Sequence, residues 1–347
     1  MKGSVTVILP HFSINGVTKV ALNEVINFTN IQIISVIKER RMFPFTIPNL
    51  KIKYVTESEI FSRLRYPHHI DFLDSYVGDL IISHNKAGAI AAHRLYKRTR
   101  VPYVAYEHNA DQNGINGTLI KFERADVKES LESATVLLAN SKTTAMDLET
   151  LYGVRAKVLY PGCYHFPSKD IINNKENRYL VVHFISKNDT FDILYKLLNR
   201  NKEIRIIIAG ARKYGWQLVY TVFKLKFGGR VDFIFDPDDN VIAQLYKRSK
   251  MLLNTGIESF GMSPLEAAGY GTPSVAVRGS GIFEVLQDTT EILSFEKNNV
   301  EELDTIIRQH SNDPTSLEHI GEKAWDKSRK FDWNAHRQQL FKSIDSS

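Results

Sequence analysis

The side chains best placed for chemistry are two glutamates, Glu258 and Glu266. Glu258 follows the apolar run Met251–Asn254, which predicts a short buried strand, and Ser263-Pro264 then opens a helix as N-cap and first helical residue. Parallel α/β sheets bind ligands at the carboxyl ends of their strands, so Glu258 is expected at a binding edge. Backbone amides at the start of this helix would attract an anion to the same place.

Each glutamate also has a purely structural interpretation. Ser263 and Glu266 have the spacing of a capping box, in which Glu266 would only bind the Ser263 amide. Glu258 could be an exposed loop carboxylate. The spacing alone leaves both interpretations open.

The helix must end near Gly269 and Gly271, and Ser274–Val277 then forms a second buried strand. Strand, loop, helix and strand make one unit of a parallel sheet, and the pattern recurs along the chain. The expected further strands are Val5–Pro10, Ile31–Ile37, Ile52–Val55, Asp79–His84, 101–106, Ala134–Ala139, Ala156–Tyr160, Tyr179–Phe184, Ile204–Ala209 and Val231–Phe235. The expected helices are 17–29, Gly88–Arg98, Lys142–Tyr152, Trp216–Lys226, Val241–Ser249 and Asn334–Ile344, and we expect Trp216–Lys226 to be a packed amphipathic helix rather than a membrane contact.

Length and composition fit two globular domains. The chain has 347 residues, of which 43% are hydrophobic and 24% charged. A single cysteine, Cys163, excludes an internal disulfide and suits a reducing compartment. The sequence contains no run of 18 apolar residues and its first residues read as a strand, so we expect a cytoplasmic protein, or one at the inner face of a membrane.

Positive charge is concentrated in the N-terminal half. Residues 1–165 hold 20 Lys and Arg against 15 Asp and Glu, whereas the remainder holds 25 against 24. This asymmetry favours an anionic partner, and we expect peripheral contact of the basic N-terminal domain with an anionic membrane. A mildly basic solvated surface is the alternative. No nucleic-acid motif is present.

The segment ESFGMSPLEAAGYGTPSVAV, which begins at Glu258, resembles the E-x7-E signature of retaining GT-B glycosyltransferases of family 4. The resemblance implies that Glu258 lies beside the sugar of a nucleotide-diphosphate-sugar donor and that Glu266 binds the ribose. It also implies that the amides of Phe260, Gly261 and Met262 face the diphosphate. The fold expected on this basis is α/β with GT-B architecture, two Rossmann-like domains with parallel sheets facing across a cleft.

Further segments carry the same resemblance. VPYVAYEHN, which contains His108, is similar to the family segment whose histidine reaches the donor sugar, although a structural strand-end histidine is an alternative. Gly16 corresponds to a glycine loop near the diphosphate, and Asp236 to a loop near the nucleobase. The implied domains are residues 1–165 for the acceptor, 178–330 for the nucleotide-sugar, and a C-terminal helix, 331–347, that crosses back to the N-terminal domain. A linker is expected at Ser168–Asn177.

One segment departs from the family. Where the family has Gly-Arg and then a lysine that bind the diphosphate, this chain has His183-Phe184 and Asp189. Lys187 is the nearest cation that could substitute, as a point charge rather than a bidentate fork. The triplet Asp236–Asp238 could suggest a metal site, but it precedes a helix that acidic residues would cap, and the family is metal-independent.

The function expected from the resemblance is glycosyl transfer with retention, without metal or cofactor, from a nucleotide-sugar to a glycan, lipid-linked or protein-linked acceptor. Glu258 and His108 are the expected catalytic residues. Two alternatives remain open: a catalytically degenerate binding subunit and a GT-B-fold sugar-nucleotide epimerase. A Rossmann dehydrogenase is disfavoured because no G-x-G-x-x-G follows the first strand. The expected donor-binding residues are Gly16, Lys187, Asp236, Phe260, Gly261, Met262 and Glu266.

Overall fold

The computed structural model describes residues 3–13, 15–37, 49–54, 77–110, 124–165, 175–186 and 188–346. The chain divides into two compact units. Unit 1 comprises Met1–Gly162 together with Trp333–Ser347, and unit 2 comprises Cys163–Asp332.

Unit 1 is built on a parallel sheet of seven strands among the described residues, in the order β3-β2-β1-β4-β5-β6-β7. Its central strands are continuous apolar runs because helices cover both faces of such a sheet. The strands are β1 Ser4–His11, β2 Asn30–Ile37, β3 Leu50–Tyr54, β4 Leu80–His84, β5 Tyr103–Glu107, β6 Val136–Ala139 and β7 Lys157–Val158. The helices are α1 Gly16–Val25, α2 Asn85–Thr99, α3 Arg124–Glu132, α4 Lys142–Tyr152 and, at the end of the chain, α11 Trp333–Asp345.

Unit 2 repeats this architecture with a parallel sheet in the order β10-β9-β8-β11-β12-β13. Both sheets are parallel throughout their described pairings, and the predicted fold class, two Rossmann-like α/β domains, is confirmed. The strands are β8 Glu176–Val182, β9 Ile206–Gly210, β10 Val231–Phe235, β11 Ser249–Asn254, β12 Ser274–Val277 and β13 Leu293–Phe295. The helices are α5 Asp189–Arg200, α6 Trp216–Phe227, α7 Asp239–Arg248, α8 Met262–Gly269, α9 Val300–Ser311 and α10 Pro314–Ser328.

The last helix, α11, packs against α1 within unit 1. Phe341 on α11 contacts Phe28 just beyond α1, with ring centroids 5.8 Å apart. Arg337 donates to the carbonyl of Asn23 at 2.8 Å. Together with the buried His336, these contacts hold the end of the chain on the first helix.

Several predicted boundaries were wrong. Helix α1 ends at Val25 rather than Thr29. Strand β8 already begins at Glu176, inside the predicted linker, and ends at Val182, so Phe184 lies beyond the strand. Residues 168–174 of that linker lie outside the described residues, as does the polar loop Asp111–Gly117. The edge strand β7 is shorter than predicted, at Lys157–Val158.

No helix among the described residues is long and apolar enough to cross a bilayer.

Candidate active site

The loop between β11 and α8 lies where the strand order of the unit 2 sheet reverses. β8 is the first strand of the unit and has β9 on one side and β11 on the other. Loops that leave such a pair in opposite directions open a crevice at the carboxyl edge of the sheet. The loops do approach one another here: a Cβ added to Gly256 would lie 3.4 Å from Thr190 Oγ1 and 4.0 Å from His183 Nε2.

Glu258 is fixed in this loop through its backbone. Its amide donates to Ser280 Oγ at 3.3 Å, and its carbonyl accepts from the Gly281 amide at 3.0 Å. Gly281 must be a glycine, because a Cβ there would lie 2.1 Å from the Ser259 carbonyl oxygen. The loop after β12 therefore holds Glu258 in position at the edge of the sheet.

The Glu258 carboxyl group has an unusual environment. Burial raises its pKa to about 7, and repulsion from Glu266 acts in the same direction. The nearby Asn254 side chain opposes this rise, although its amide nitrogen meets no partner with hydrogen-bond geometry. The Thr255 hydroxyl is also buried without a partner among the described residues. Buried polar atoms normally have partners, so this cluster fits a ligand that offers hydroxyl groups.

Helix α8 corrects the prediction of a Ser263 cap. The helix begins at Met262, and its N-cap is Gly261, whose φ of 104° suits a glycine and which offers no side-chain cap. Ser263 lies inside the helix, with its hydroxyl 3.5 Å from the Val182 carbonyl. The first amides of a helix have no intrahelical partner, so the N-terminus behind Phe260 stays suited to an anion.

Glu266 does not have the capping role that was the structural alternative to ribose binding, because Ser263 is not the N-cap of α8. It is buried, and Tyr246 donates its hydroxyl to Glu266 Oε2 at 2.9 Å. The Tyr246 ring stacks on Tyr270, with centroids 5.8 Å apart. The tyrosine therefore orients the carboxylate from α7, and the capping alternative is wrong.

Asp236 lies at the end of β10, separated from β11 by β9 and β8. At about 4.8 Å per strand it is some 14 Å from the β11 loop. Its Oδ2 accepts from Arg212 Nε at 2.7 Å and lies 2.5 Å from Nη2. The Arg212 amide donates to Oδ1 at 3.0 Å. The carboxylate thus holds the loop after β9, and Asp238, not Asp236, caps α7 by accepting from the Val241 amide at 2.8 Å.

The segment that departs from the family follows β8. Phe184 is 38% exposed, and Lys213 Nζ lies 5.2 Å from the centre of its ring. Lys187, the predicted substitute cation, lies outside the described residues. Asp189 begins α5, and Asn188 caps that helix. Lys213, from the loop after β9, therefore contacts Phe184, which stands where the family has its arginine. No sequence pattern predicted this contact.

Gly16 lies at the corresponding edge of the unit 1 sheet. It is the first residue of α1, directly after β1, and is exposed. Asn15 caps the helix by accepting from the Thr18 amide at 2.9 Å. β1 lies between β2 and β4, which is the point where the strand order of this sheet reverses.

His108 follows β5 and belongs to a buried chain of charged and polar groups within unit 1. Its Nε2 lies 3.0 Å from His84 Nδ1. His84 Nε2 lies 3.2 Å from Glu24 Oε2, without good hydrogen-bond angles, and His336 Nε2 lies 3.1 Å from Glu24 Oε1. Glu24 and His84 are completely buried.

The partners of this chain set its protonation. The two histidines lower the pKa of Glu24 to about 2 despite the opposing effect of burial, so it is a carboxylate. His336 faces this carboxylate with Nε2 and the Tyr160 carbonyl with Nδ1, at 2.8 Å. Both partners of His336 are acceptors, and they hold its ring between Glu24 and Tyr160. Burial, reinforced by His84, lowers the pKa of His108 to about 3, so His108 is neutral.

Asparagines hold the backbone of His108. Its amide donates to Asn85 Oδ1 at 3.0 Å, and its carbonyl accepts from Asn140 Nδ2 at 3.0 Å. The preceding Glu107 is completely buried, which raises its pKa to about 8 against the attraction of Lys86. His84, Glu24 and His336 were not predicted. Of these three, only His84 could have been found from the sequence, because it ends a predicted strand at the carboxyl edge of the sheet, where His108 also lies.

No group of three or more potential metal-ligating side chains was found in the part of the chain that the structure describes.

Comparison with known proteins identifies the fold. The model for group 1 glycosyl transferases matches residues 166–327, and the model for Glycosyltransferase Family 4 matches residues 57–163. The chain has the GT-B fold of solved glycosyltransferase structures. The two model matches fall on opposite sides of the boundary between units 1 and 2.

Two glycosyltransferases are similar in sequence. The sulfoquinovosyl transferase SQD2 of Arabidopsis thaliana is 27% identical over 169 residues, which is 47% of this chain and 32% of that protein. The chain thus matches about a third of the length of this relative. An uncharacterized glycosyltransferase of Methanocaldococcus jannaschii is 26% identical over 268 residues, 74% of this chain and 72% of that protein.

Solved structures match this chain over nearly its whole length. Anabaena HepE in complex with UDP and glucose has a TM-score of 0.78 at 18% identity, covering 99% of both chains. HepE was also solved with UDP-glucose. Sucrose-phosphate synthase from Thermosynechococcus elongatus has a TM-score of 0.83 at 13% identity, covering 99% of this chain and 98% of that chain.

Proposed function

We propose that this protein moves a sugar from a nucleotide-diphosphate-sugar to an acceptor with retention of anomeric configuration, without a metal ion. The observation that carries the proposal is the environment of Glu258. There the Glu258 carboxyl group, whose pKa is raised, lies near polar atoms of Asn254 and Thr255 that have no partner among the described residues. The N-terminus of helix α8 follows in the same loop, at the point where the strand order of the sheet reverses. Binding of UDP and UDP-glucose by the structurally similar HepE supports a nucleotide-sugar donor.

The residues of unit 2 match the charges that develop in such a reaction. An oxocarbenium-like sugar becomes positive while the diphosphate leaves with negative charge. The amides of Phe260, Gly261 and Met262 would stabilise the leaving phosphates. The carboxylate form of Glu258 would accept sugar hydroxyls or stabilise the positive ring, and Glu266, oriented by Tyr246, would accept the ribose hydroxyls.

His108 is proposed as the second catalytic residue, on the strength of its surroundings in unit 1. The low pKa keeps the ring neutral. If His84 carries a single proton on Nε2, facing Glu24, then His84 Nδ1 accepts a hydrogen bond from His108 Nε2. His108 Nδ1 then has no proton and can accept a hydrogen bond from a sugar hydroxyl. This assigns His108 to holding a hydroxyl rather than to neutralising a phosphate.

The diphosphate also needs cations. Lys187 remains a proposed donor-binding residue, and Lys213 joins it because its ammonium lies against Phe184. Arg212 is committed to Asp236, so we propose that Asp236 contributes to the donor site through the shape of its loop. Gly16 is proposed to bring exposed backbone to the diphosphate.

The remaining assignments extend the same proposal. Unit 1 would hold a glycan, lipid-linked or protein-linked acceptor, and unit 2 the donor. The charge distribution supports a further proposal, that the basic N-terminal half contacts the cytoplasmic face of an anionic membrane.

A catalytically degenerate binding subunit is the second candidate function. Asp189 and Asp192 place two carboxylates in the first turn of α5, where the helix would otherwise favour an anion. Phe184 removes an arginine from the same edge. Both changes weaken the expected hold on a diphosphate.

A turnover assay with a panel of nucleotide-sugars tests the proposal. We expect release of the nucleoside diphosphate from one donor, activity that persists in excess chelator, and a product of unchanged anomeric configuration by NMR. Loss of activity in chelator with rescue by a divalent ion would contradict metal independence. Donor binding without release would favour the degenerate subunit.

A further inference from the structure

Helix α6 of unit 2 has apolar side chains on the face that points away from the core. Val219, Phe223 and Phe227 are buried against the sheet, as predicted for a packed helix. On the solvent side, however, Leu218 is 57% exposed and Leu225 is 84% exposed. The predicted packing of this helix is therefore confirmed, and its outer face carries exposed apolar side chains in addition.

The outer apolar residues form a continuous stripe. Leu218, Val222 and Leu225 lie at positions i, i+4 and i+7, which share one face of a helix. Tyr214, completely exposed, lies in the turn two residues before the helix begins. At ~100° per residue the stripe lies opposite Phe227. We call Leu218, Val222 and Leu225 the outer face of α6.

Basic residues flank this face. On the helical wheel Lys224 and Lys226 lie on either side of the stripe, and residues 212–230 contain five Lys and Arg and no Asp or Glu. Lys226 Nζ lies 4.3 Å from the centre of the Tyr195 ring. Within the described residues no carboxylate forms an ion pair with Lys226 or Arg230, whereas Lys224 lies 3.7 Å from Asp232.

We propose that the outer face of α6 binds the surface of an anionic phospholipid bilayer. A helix that lies in the membrane interface inserts apolar side chains among the acyl chains, while lysines at its two sides reach the headgroups. Charge favours this occupant over a second copy of the chain, because two such faces would bring like charges together. The inference concerns unit 2 and does not rest on the proposed function.

Vesicle binding by the full chain tests the proposal without any nucleotide-sugar. Wild-type protein is expected to co-sediment with vesicles of phosphatidylcholine and phosphatidylglycerol, more weakly in high salt and with phosphatidylcholine alone. The variant L218S/V222S/L225S should partition at least about tenfold less, because three apolar side chains no longer insert. Its thermal unfolding should stay close to that of the wild type.

The matched control is V241S, which replaces an exposed apolar residue on α7 of unit 2 and should leave vesicle binding unchanged. Equal binding by all three proteins would overturn the proposal, as would a wild type that ignores anionic vesicles. If the wild type instead forms a dimer by light scattering, which only the α6 variant loses, the face joins two copies and the membrane proposal fails.

Discussion

Glu24 in unit 1 and Glu258 in unit 2 are two carboxyl groups with opposite protonation behaviour. Glu24 is the more buried, yet its pKa is about 2, whereas the pKa of Glu258 is about 7. Burial by itself would raise the pKa of both carboxyl groups. The difference lies in the neighbours, because His84 and His336 face Glu24 while Glu258 faces Asn254 and a second carboxylate.

The comparison separates two uses of a buried carboxylate. Glu24 has partners within the protein, His84 and His336, and His84 in turn contacts His108. Among the described residues Glu258 has no cationic partner, and it lies beside the Asn254 and Thr255 side chains, whose polar atoms have no partner there. Groups whose surroundings push their pKa values apart in this way often have different roles in catalysis.

The largest expected effect is on stability, from Glu24→Gln. The change removes the buried charge that both His84 and His336 face. Breaking such a pair costs about 3–5 kcal/mol, measured by urea denaturation followed by circular dichroism. Glu129→Gln, which removes an exposed partner of Lys97, is the control and should change the unfolding midpoint little.

The same carboxylate predicts acid sensitivity. In the unfolded chain Glu24 titrates near its ordinary value of 4.5, and in the folded chain near 2. Its contribution is therefore complete above about 4.5 and is lost as the pH falls through about 2. Stability of Glu24→Gln that falls with acid as steeply as that of the wild type would show that Glu24 is not the group responsible.

Glu258→Ala is expected to abolish most transfer without unfolding unit 2. The loss of one electrostatic contact to the transition state should lower kcat/KM by at least about a hundredfold. Steady-state kinetics with the donor found in the panel assay measures it. Ser259→Ala, next in the same loop, is the control, and a Glu258→Ala enzyme with most of its activity would remove Glu258 from the mechanism.

Glu266→Gln should act on donor binding. Replacing the carboxylate weakens its charge-assisted bonds to the ribose by about 1.5–3 kcal/mol, measured by calorimetric titration. Tyr246→Phe keeps the carboxylate but removes the hydroxyl that orients it, so its effect should be smaller. The same donor affinity in Glu266→Gln and wild type would leave Glu266 a structural partner of Tyr246.

The smallest expected effect concerns the cations. Lys213→Ala and Lys187→Ala should each weaken nucleoside-diphosphate binding, by about tenfold for the one that contacts the phosphates. Higher salt should weaken the wild type as well. If neither variant differs from the wild type, backbone amides or another cation hold the phosphates.

Local patterns in the sequence predicted the fold well. Apolar runs and glycine punctuation located α4 and the strands β10 and β12, with bounds that agree with the structure. Helix starts were less predictable, because Ser263 and Pro264 have the residue types of a cap, yet Gly261 takes that position through its positive φ.

The sequence predicted only those parts of the site whose residues lie close together in the chain. The β11–α8 loop brings Glu258 and Glu266 together within nine residues of sequence. The chain from His108 to His336 instead joins β4, β5, α1 and α11, up to 312 residues apart, and a single sequence gives no spacing for such contacts. Lys213 was missed for the same reason, since it reaches Phe184 from the next strand.

Carboxyl ¹³C NMR of the glutamate-labelled chain, followed against pH, tests the difference between the two carboxyl groups most directly and needs no substrate. Difference spectra against Glu258→Gln and Glu107→Gln assign the groups that titrate late. We predict that the Glu258 signal titrates near pH 7 and that one glutamate, Glu24, stays ionised well below pH 4.5. A Glu258 signal that titrates near pH 4.5, with the ordinary glutamates, would contradict its assignment as a carboxyl group of the site that has no cationic partner among the described residues.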